Sequence, residues 1–209
     1  EDLVAAVRLA EALAAADSAS ANGAPRVAAS RTTLAELLLA HRRFPALREV
    51  RKAQFAATPP GIPRGGIAAD IGRLSRELGD ADGAREWYEQ ALTDDPKGRE
   101  PYAALAELAA ERGDVAAHVQ MLQRRASVEE DPAARASARV QAAELLLSAI
   151  EDVEAARVEA LAATQEGDPP SSEEQVPPDA WKVLGRAQVQ AGDLDQAARN
   201  LEEWWRRVE

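Results

Sequence analysis

The sequence predicts an all-α fold: a solenoid of about eleven helices, paired antiparallel and stacked along one axis. Three observations predict it. Apolar residues recur at helical spacing along nearly the whole chain, and no stretch alternates as a half-buried strand would. Hydrophobic residues make up 46% of the 209 positions but aromatics only 4%, so small and aliphatic side chains supply the core, which suits close helix packing. Finally, Gly79-Asp80 returns as Gly113-Asp114 after 34 residues, with Ile71-Gly72 returning as Leu105-Ala106 and Tyr88 as Leu122 at the same interval. A fixed period of this size marks a repeat architecture.

Taken in order, the periodicity places helices at 2–17, 25–41, 45–57, 66–78, 81–93, 99–112, 114–128, 132–148, 152–165, 178–191 and 194–208. The links between most of them are short, as antiparallel helix hairpins require. Two stretches interrupt the series. Residues 57–66 carry three prolines and three glycines, and proline inside a helix removes an amide donor and clashes with the preceding turn, so a linker is expected at 59–66. Residues 167–178 hold four prolines, two serines and two glutamates. They read as an acidic surface loop with little to bury, the segment of the C-terminal half most open to proteolysis. The chain is thereby divided into degenerate helical repeats over 1–58, the linker, and better-formed repeats over 67–209.

The residues at the repeat positions resemble the tetratricopeptide repeat family. The unit from Gly65 to Gly98 matches at Ile71, Gly72, Gly79, Ala84, Tyr88, Ala91 and Pro96. The closing unit matches at Trp181, Leu184, Gly185, Gly192, Ala197 and Leu201. The unit from Arg99 matches at Tyr102, Leu105, Ala106 and Gly113 but has His118 where the pattern has alanine, and Ala117 suggests a one-residue shift. The unit with Ala156 and Ala163 is looser, and before residue 58 only helix lengths agree. The resemblance implies a right-handed superhelix whose concave groove is lined by the first helix of each pair. On that analogy the groove residues are Arg73, Arg76, Glu107, Gln141, Lys182 and Arg186. The lysine–asparagine clamp by which some family members hold a chaperone's C-terminal carboxylate is missing, since the matching positions are Ala69 and Arg73.

Other classes of function find little support. A net charge of −11 opposes the basic stripe that nucleic-acid binding needs. There is no cysteine and only two histidines, His41 and His118, in separate repeats, so no metal or cofactor site is expected. No phosphate-binding loop or nucleophile elbow is present, and an enzyme is not expected. No apolar run approaches the roughly 20 residues of a membrane span. The start, Glu1-Asp2-Leu3, has no initiator methionine and reads as a piece of a longer chain. The excess of arginine over lysine suggests, by association, a bacterial source.

The expected role is therefore a scaffold or adaptor that binds a protein or peptide through the groove. A structural spacer, an assembly segment or a regulatory domain of a larger protein is the alternative. At the C-terminus, Leu194, Ala197, Leu201, Trp204, Trp205 and Val208 form one apolar stripe. Trp204 and Trp205 are expected to offer an edge for further repeats or self-association.

Overall fold

The computed structural model describes residues 24–166 and 176–209, with side chains from Arg31 onward. The helix expected over 2–17 and most of the loop at 167–178 lie outside the described residues. Every regular element among those described is helical: α1 Ala24–Ala40, α2 Phe44–Ala57, α3 Ile62–Glu77, α4 Ala81–Asp94, α5 Arg99–Glu111, α6 Val115–Val128, α7 Pro132–Leu145, α8 Val153–Thr164, α9 Asp179–Ala191 and α10 Leu194–Val208. The chain forms two compact units, one ending at Gly98 and one starting at Arg99.

In the first unit α1 packs on α2, α2 on α3, and α3 on α4. Leu34, Leu38, Leu47 and Leu74 join the first two helices to α3, with Phe44 and Val50 at the margin. The α3–α4 hairpin closes because Gly72 lies under the ring of Tyr88: a Cβ at Gly72 would meet that ring at 2.9 Å. Tyr88, Ala84 and Ala91 are buried in return. The expected linker is a correction, since α3 already begins at Ile62. Pro63 stands in its first turn, where the missing amide had no helical partner anyway. The break is confined to Thr58–Pro60 and Gly61, whose φ of 135° leaves the helical region.

In the second unit α5 packs on α6, α7 on α8 and α9 on α10, while α6 meets α7 and α8 meets α9 across the pairs. One core runs through Leu122, Ala136, Val140, Ala143, Ala156, Ala160, Val183 and Leu184. Val176 belongs to the same core and is only 2% exposed. The end of the loop expected to have little to bury is therefore anchored.

The Gly-Asp repeat has a physical meaning here. Gly79, Gly113 and Gly192 end their helices at φ of 78°, 71° and 82°, a conformation that costs glycine little. The following aspartates, Asp80, Asp114 and Asp193, cap the next helix by accepting from the amides of Gly83, Ala117 and Gln196. Each such cap stabilises by about 1 kcal/mol. The third pair keeps the cap, Asp152 on the amide of Ala155, but has Glu151 at φ 61° where the others have glycine. The single helix expected over 132–148 is likewise corrected: after Leu145 it widens into one π-helical turn, Leu146–Ile150, closed by the amide of Asp152 on the carbonyl of Leu146 at 2.9 Å. This wider last turn takes up an extra residue before Glu151 ends the helix. The shift suggested by Ala117 runs the other way, because Val119 is the buried residue beside His118.

Candidate interaction surface

The predicted groove residues divide between the two compact units. In the first, Arg73 is exposed on α3 and pairs with Asp70 one turn earlier. Asp70 also takes Arg51 of α2 at 3.2 Å. Arg76 lies half-buried in the last turn of the same helix.

In the second unit the first helices α7 and α9 pack directly on each other, and an ion pair crosses between them. Nη1 of Arg186 donates to both carboxylate oxygens of Glu144, each at 3.0 Å. Both side chains keep substantial exposure, 42% and 37%. Gln141 is exposed one turn before Glu144 and donates weakly to Ser137 at 3.4 Å. Lys182 is one turn before Arg186, its Nζ 3.8 Å from Asp179. Gln141, Lys182 and Arg186 thus share one face, while Glu107 is exposed on α5.

Lys182 also lies over the ring of Trp204 at 5.6 Å, which joins the predicted groove to the predicted C-terminal edge. Trp204 is half-buried and meets Trp205 edge-on, with centroids 6.2 Å apart. Ala198, Leu201, Glu202, Trp204, Trp205 and Arg206 of α10, with Glu209 just beyond it, line a shallow, open recess. The meaning of this recess comes from equivalent positions. Ala126, Thr164 and Trp205 stand the same distance beyond the capping aspartates Asp114, Asp152 and Asp193. Ala126 and Thr164 are 1% and 2% exposed, in helices covered by α7 and α9, whereas Trp205 is 57% exposed.

Sequence reasoning missed a second recurrent feature, an arginine latch across the open end of three hairpins. Arg64 donates to Asp94 at 2.9 Å, Arg99 to Glu129 at 2.9 Å and Arg135 to Glu166 at 2.5 Å. The partners are 30, 30 and 31 residues apart. Arg139 extends the third latch to Glu166 and Glu159, both at 3.0 Å. Burial on its own raises the Asp94 carboxyl, but hydrogen bonds from Arg64 and Gln90 outweigh it and hold the group below the ordinary aspartate value. Glu129 is held below the glutamate value chiefly by Arg99, against burial and with help from the amides of Asp131 and Glu130. These ionised groups are tied to one another and close the hairpins; they are not poised for proton transfer. Spacing alone is the signal that was available for the latches, since the acid changes from Asp to Glu.

Among the described residues no group of three His, Cys, Asp or Glu is arranged to hold a metal. None of the described helices is long and apolar enough to cross a membrane.

No protein-family profile and no curated protein matches the sequence. Solved structures do. The crystal structure of MamA is 15% identical, covering 84% of this chain and 94% of that one with a TM-score of 0.55. YrrB, described as a tetratricopeptide protein with an unusual peptide-binding site, is 16% identical over 85% of this chain and 84% of its own, also with a TM-score of 0.55. A tetratricopeptide repeat protein from Parabacteroides merdae is 16% identical and covers 100% of this chain and 74% of its own at a TM-score of 0.53. Among the described residues the fold is all-helical and tetratricopeptide-like, as the hairpins indicate.

Proposed function

We propose that this chain is a non-catalytic scaffold that binds a protein or peptide, and that in its C-terminal unit the working surface is the shared face of α7 and α9. The observation that carries the reading is the Arg186–Glu144 pair. It holds a guanidinium at the seam of two stacked helices while leaving both partners open to solvent. Lys182 adds a second cation on the same face, and Gln141 adds an amide. A segment bearing a carboxylate, from a side chain or a chain end, can accept a bidentate contact from Arg186 as Glu144 turns away. The peptide-binding site named for YrrB, a protein of the same fold, supports the reading by analogy alone. In the first unit Arg73 follows Gly72 as Arg186 follows Gly185 and pairs with Asp70, while Arg76 adds a cation one turn further on where the second unit has Val189.

Peptides selected by display on the wild-type chain provide the test. The reading expects them to be rich in acidic residues and to bind less tightly as salt rises from about 0.05 to 0.3 M. Charge reversal at Arg73, Arg76 and Arg186 together is expected to weaken binding at least tenfold. Salt-insensitive binding that survives the triple reversal would move the site elsewhere.

A further inference from the structure

One repeat position carries a charge on each of the helices α3, α5, α7 and α9, directly after the small residue of its hairpin. It holds Arg73 after Gly72, Glu107 after Ala106, Glu144 after Ala143 and Arg186 after Gly185. In the second unit α7 packs directly on α9, so two copies of this position meet, and the Glu144–Arg186 pair is the result.

The way Glu144 is held sets it apart from the latch carboxylates of the same unit. Glu166 accepts from Nε of both Arg135 and Arg139. Glu129 accepts from Arg99 and from the amides of Glu130 and Asp131. Their side chains are only 12% and 7% exposed. Glu144 instead places both oxygens on the single Nη1 of Arg186, and its side chain is 37% exposed. No other donor among the described residues reaches its carboxylate. A fork of two parallel N–H bonds is the stronger way for arginine to hold a carboxylate, and this contact does not use it.

We propose that Glu144 is a built-in competitor for the acidic ligand of this face. It occupies Arg186 in the free chain and has to be displaced before a peptide carboxylate takes the guanidinium. The inference rests on the reading of the α7–α9 face as the binding surface, and it adds what regulates that face. A ligand carboxylate that closes on two nitrogens exchanges a one-nitrogen contact for a fork. Glu144 then turns into water at small cost, because it is already partly there and an exposed ion pair is weak. The affinity of the face is therefore set by the difference between two carboxylates, one of them its own.

The test is the affinity of one display-selected acidic peptide, measured by calorimetry on the wild type, Glu144→Gln, Arg186→Gln and the double variant. Glu144→Gln keeps the size of the side chain and removes its charge, and is expected to tighten binding about fivefold, the scale of one exposed ion pair. In the Arg186→Gln background the same change is expected to alter affinity by less than about twofold, since nothing is left to compete for. Glu130→Gln removes an equal charge from the exposed α6–α7 connection. It is expected to stay within about 1.5-fold of wild type, because solvent screens so distant a charge. If Arg186→Gln weakens binding but Glu144→Gln leaves it unchanged or weakens it too, the proposal is overturned and the binding surface stands, with Glu144 steadying the guanidinium instead. An equal gain without Arg186, or from Glu130→Gln, also overturns it, as general relief of negative charge. Binding indifferent to Arg186→Gln overturns both the proposal and the reading on which it rests.

Discussion

The hairpins α3–α4, α5–α6 and α7–α8 have their open ends tied by an arginine and a carboxylate, whereas the described residues of α9–α10 are joined by contacts of another kind. In the first three the latching residues are 30 or 31 positions apart, so the tie depends on both helices keeping their lengths. In α9–α10 the corresponding region carries Pro177 and Pro178. Its two helices are joined instead by cations over rings: Arg207 lies 5.2 Å from the centre of Trp181 and Lys182 lies over Trp204. A guanidinium–carboxylate pair is directional and uses up its charges. A cation on a ring keeps aromatic surface at the edge of the contact. The comparison teaches that one repeat position can close a hairpin through a directional ion pair or through an arginine on a ring, and that Arg64 does both, donating to Asp94 and lying over Phe55.

The largest effect that would sharpen this comparison is expected in the core of α3–α4. Tyr88→Ala removes a ring 2% exposed that fills the space over Gly72, a loss of about 3–5 kcal/mol by denaturant titration. Leu201, the residue over Gly185 in the last hairpin, is half-buried, and Leu201→Ala is expected to cost about 2 kcal/mol or less. Equal costs would show that α9–α10 is as tightly built as α3–α4.

The latches come next. Arg64→Met leaves the Asp94 carboxylate, 3% exposed, without its cation, and is expected to destabilise by about 2 kcal/mol. That is below the usual range for a broken buried pair because Arg64 itself reaches solvent. Replacing both partners by apolar residues is expected to recover most of the loss. A double variant no better than Arg64→Met would mean that the arginine acts through its stacking on Phe55, 4.6 Å away.

Acid is expected to act through the same groups. Asp94 and Glu129 both have folded-state values below their ordinary ones of 3.8 and 4.5. Each therefore contributes stability that is fully present above its ordinary value and is lost as the pH falls through the folded one. Urea midpoints are expected to be flat from pH 7 to about 5 and to drop below about 4.5, more shallowly in Glu129→Gln. A chain equally stable at pH 3 and pH 7 contradicts the latch account.

The smallest effect concerns the irregular turn. Glu151 holds a left-handed conformation that L-residues adopt at some cost, so Glu151→Gly is expected to stabilise by about 0.5–1 kcal/mol, after allowing for the freer unfolded chain. A loss of stability instead would show that the π-helical turn depends on the glutamate.

Much of the fold could be read from the sequence because its determinants are local. Gly79-Asp80 ends one helix and caps the next within a few residues, and Gly72 and Tyr88 are separated by a single hairpin. The features that escaped depend on tertiary distance or on exceptions to local rules. Pro63 looked like a breaker because composition does not say whether a proline falls inside a helix or in its first turn. Glu151 takes a glycine's conformation that nothing in its neighbours announces. Val176 sits in a polar, proline-rich stretch, and only the packed core shows it as an anchor. Of the surface residues, Lys182 and Trp204 were each legible, but their juxtaposition required the angle between α9 and α10.

The most direct test of the account is to measure a display-selected acidic peptide on the wild-type chain and on Lys182→Glu/Arg186→Glu, with Arg135→Gln as the latch control. Binding is expected to fall at least tenfold in the double variant and to stay within about twofold in the control, since the latch lies between α7 and α8 and away from the α7–α9 seam. Loss of binding in the control with retention in the double variant would contradict the account.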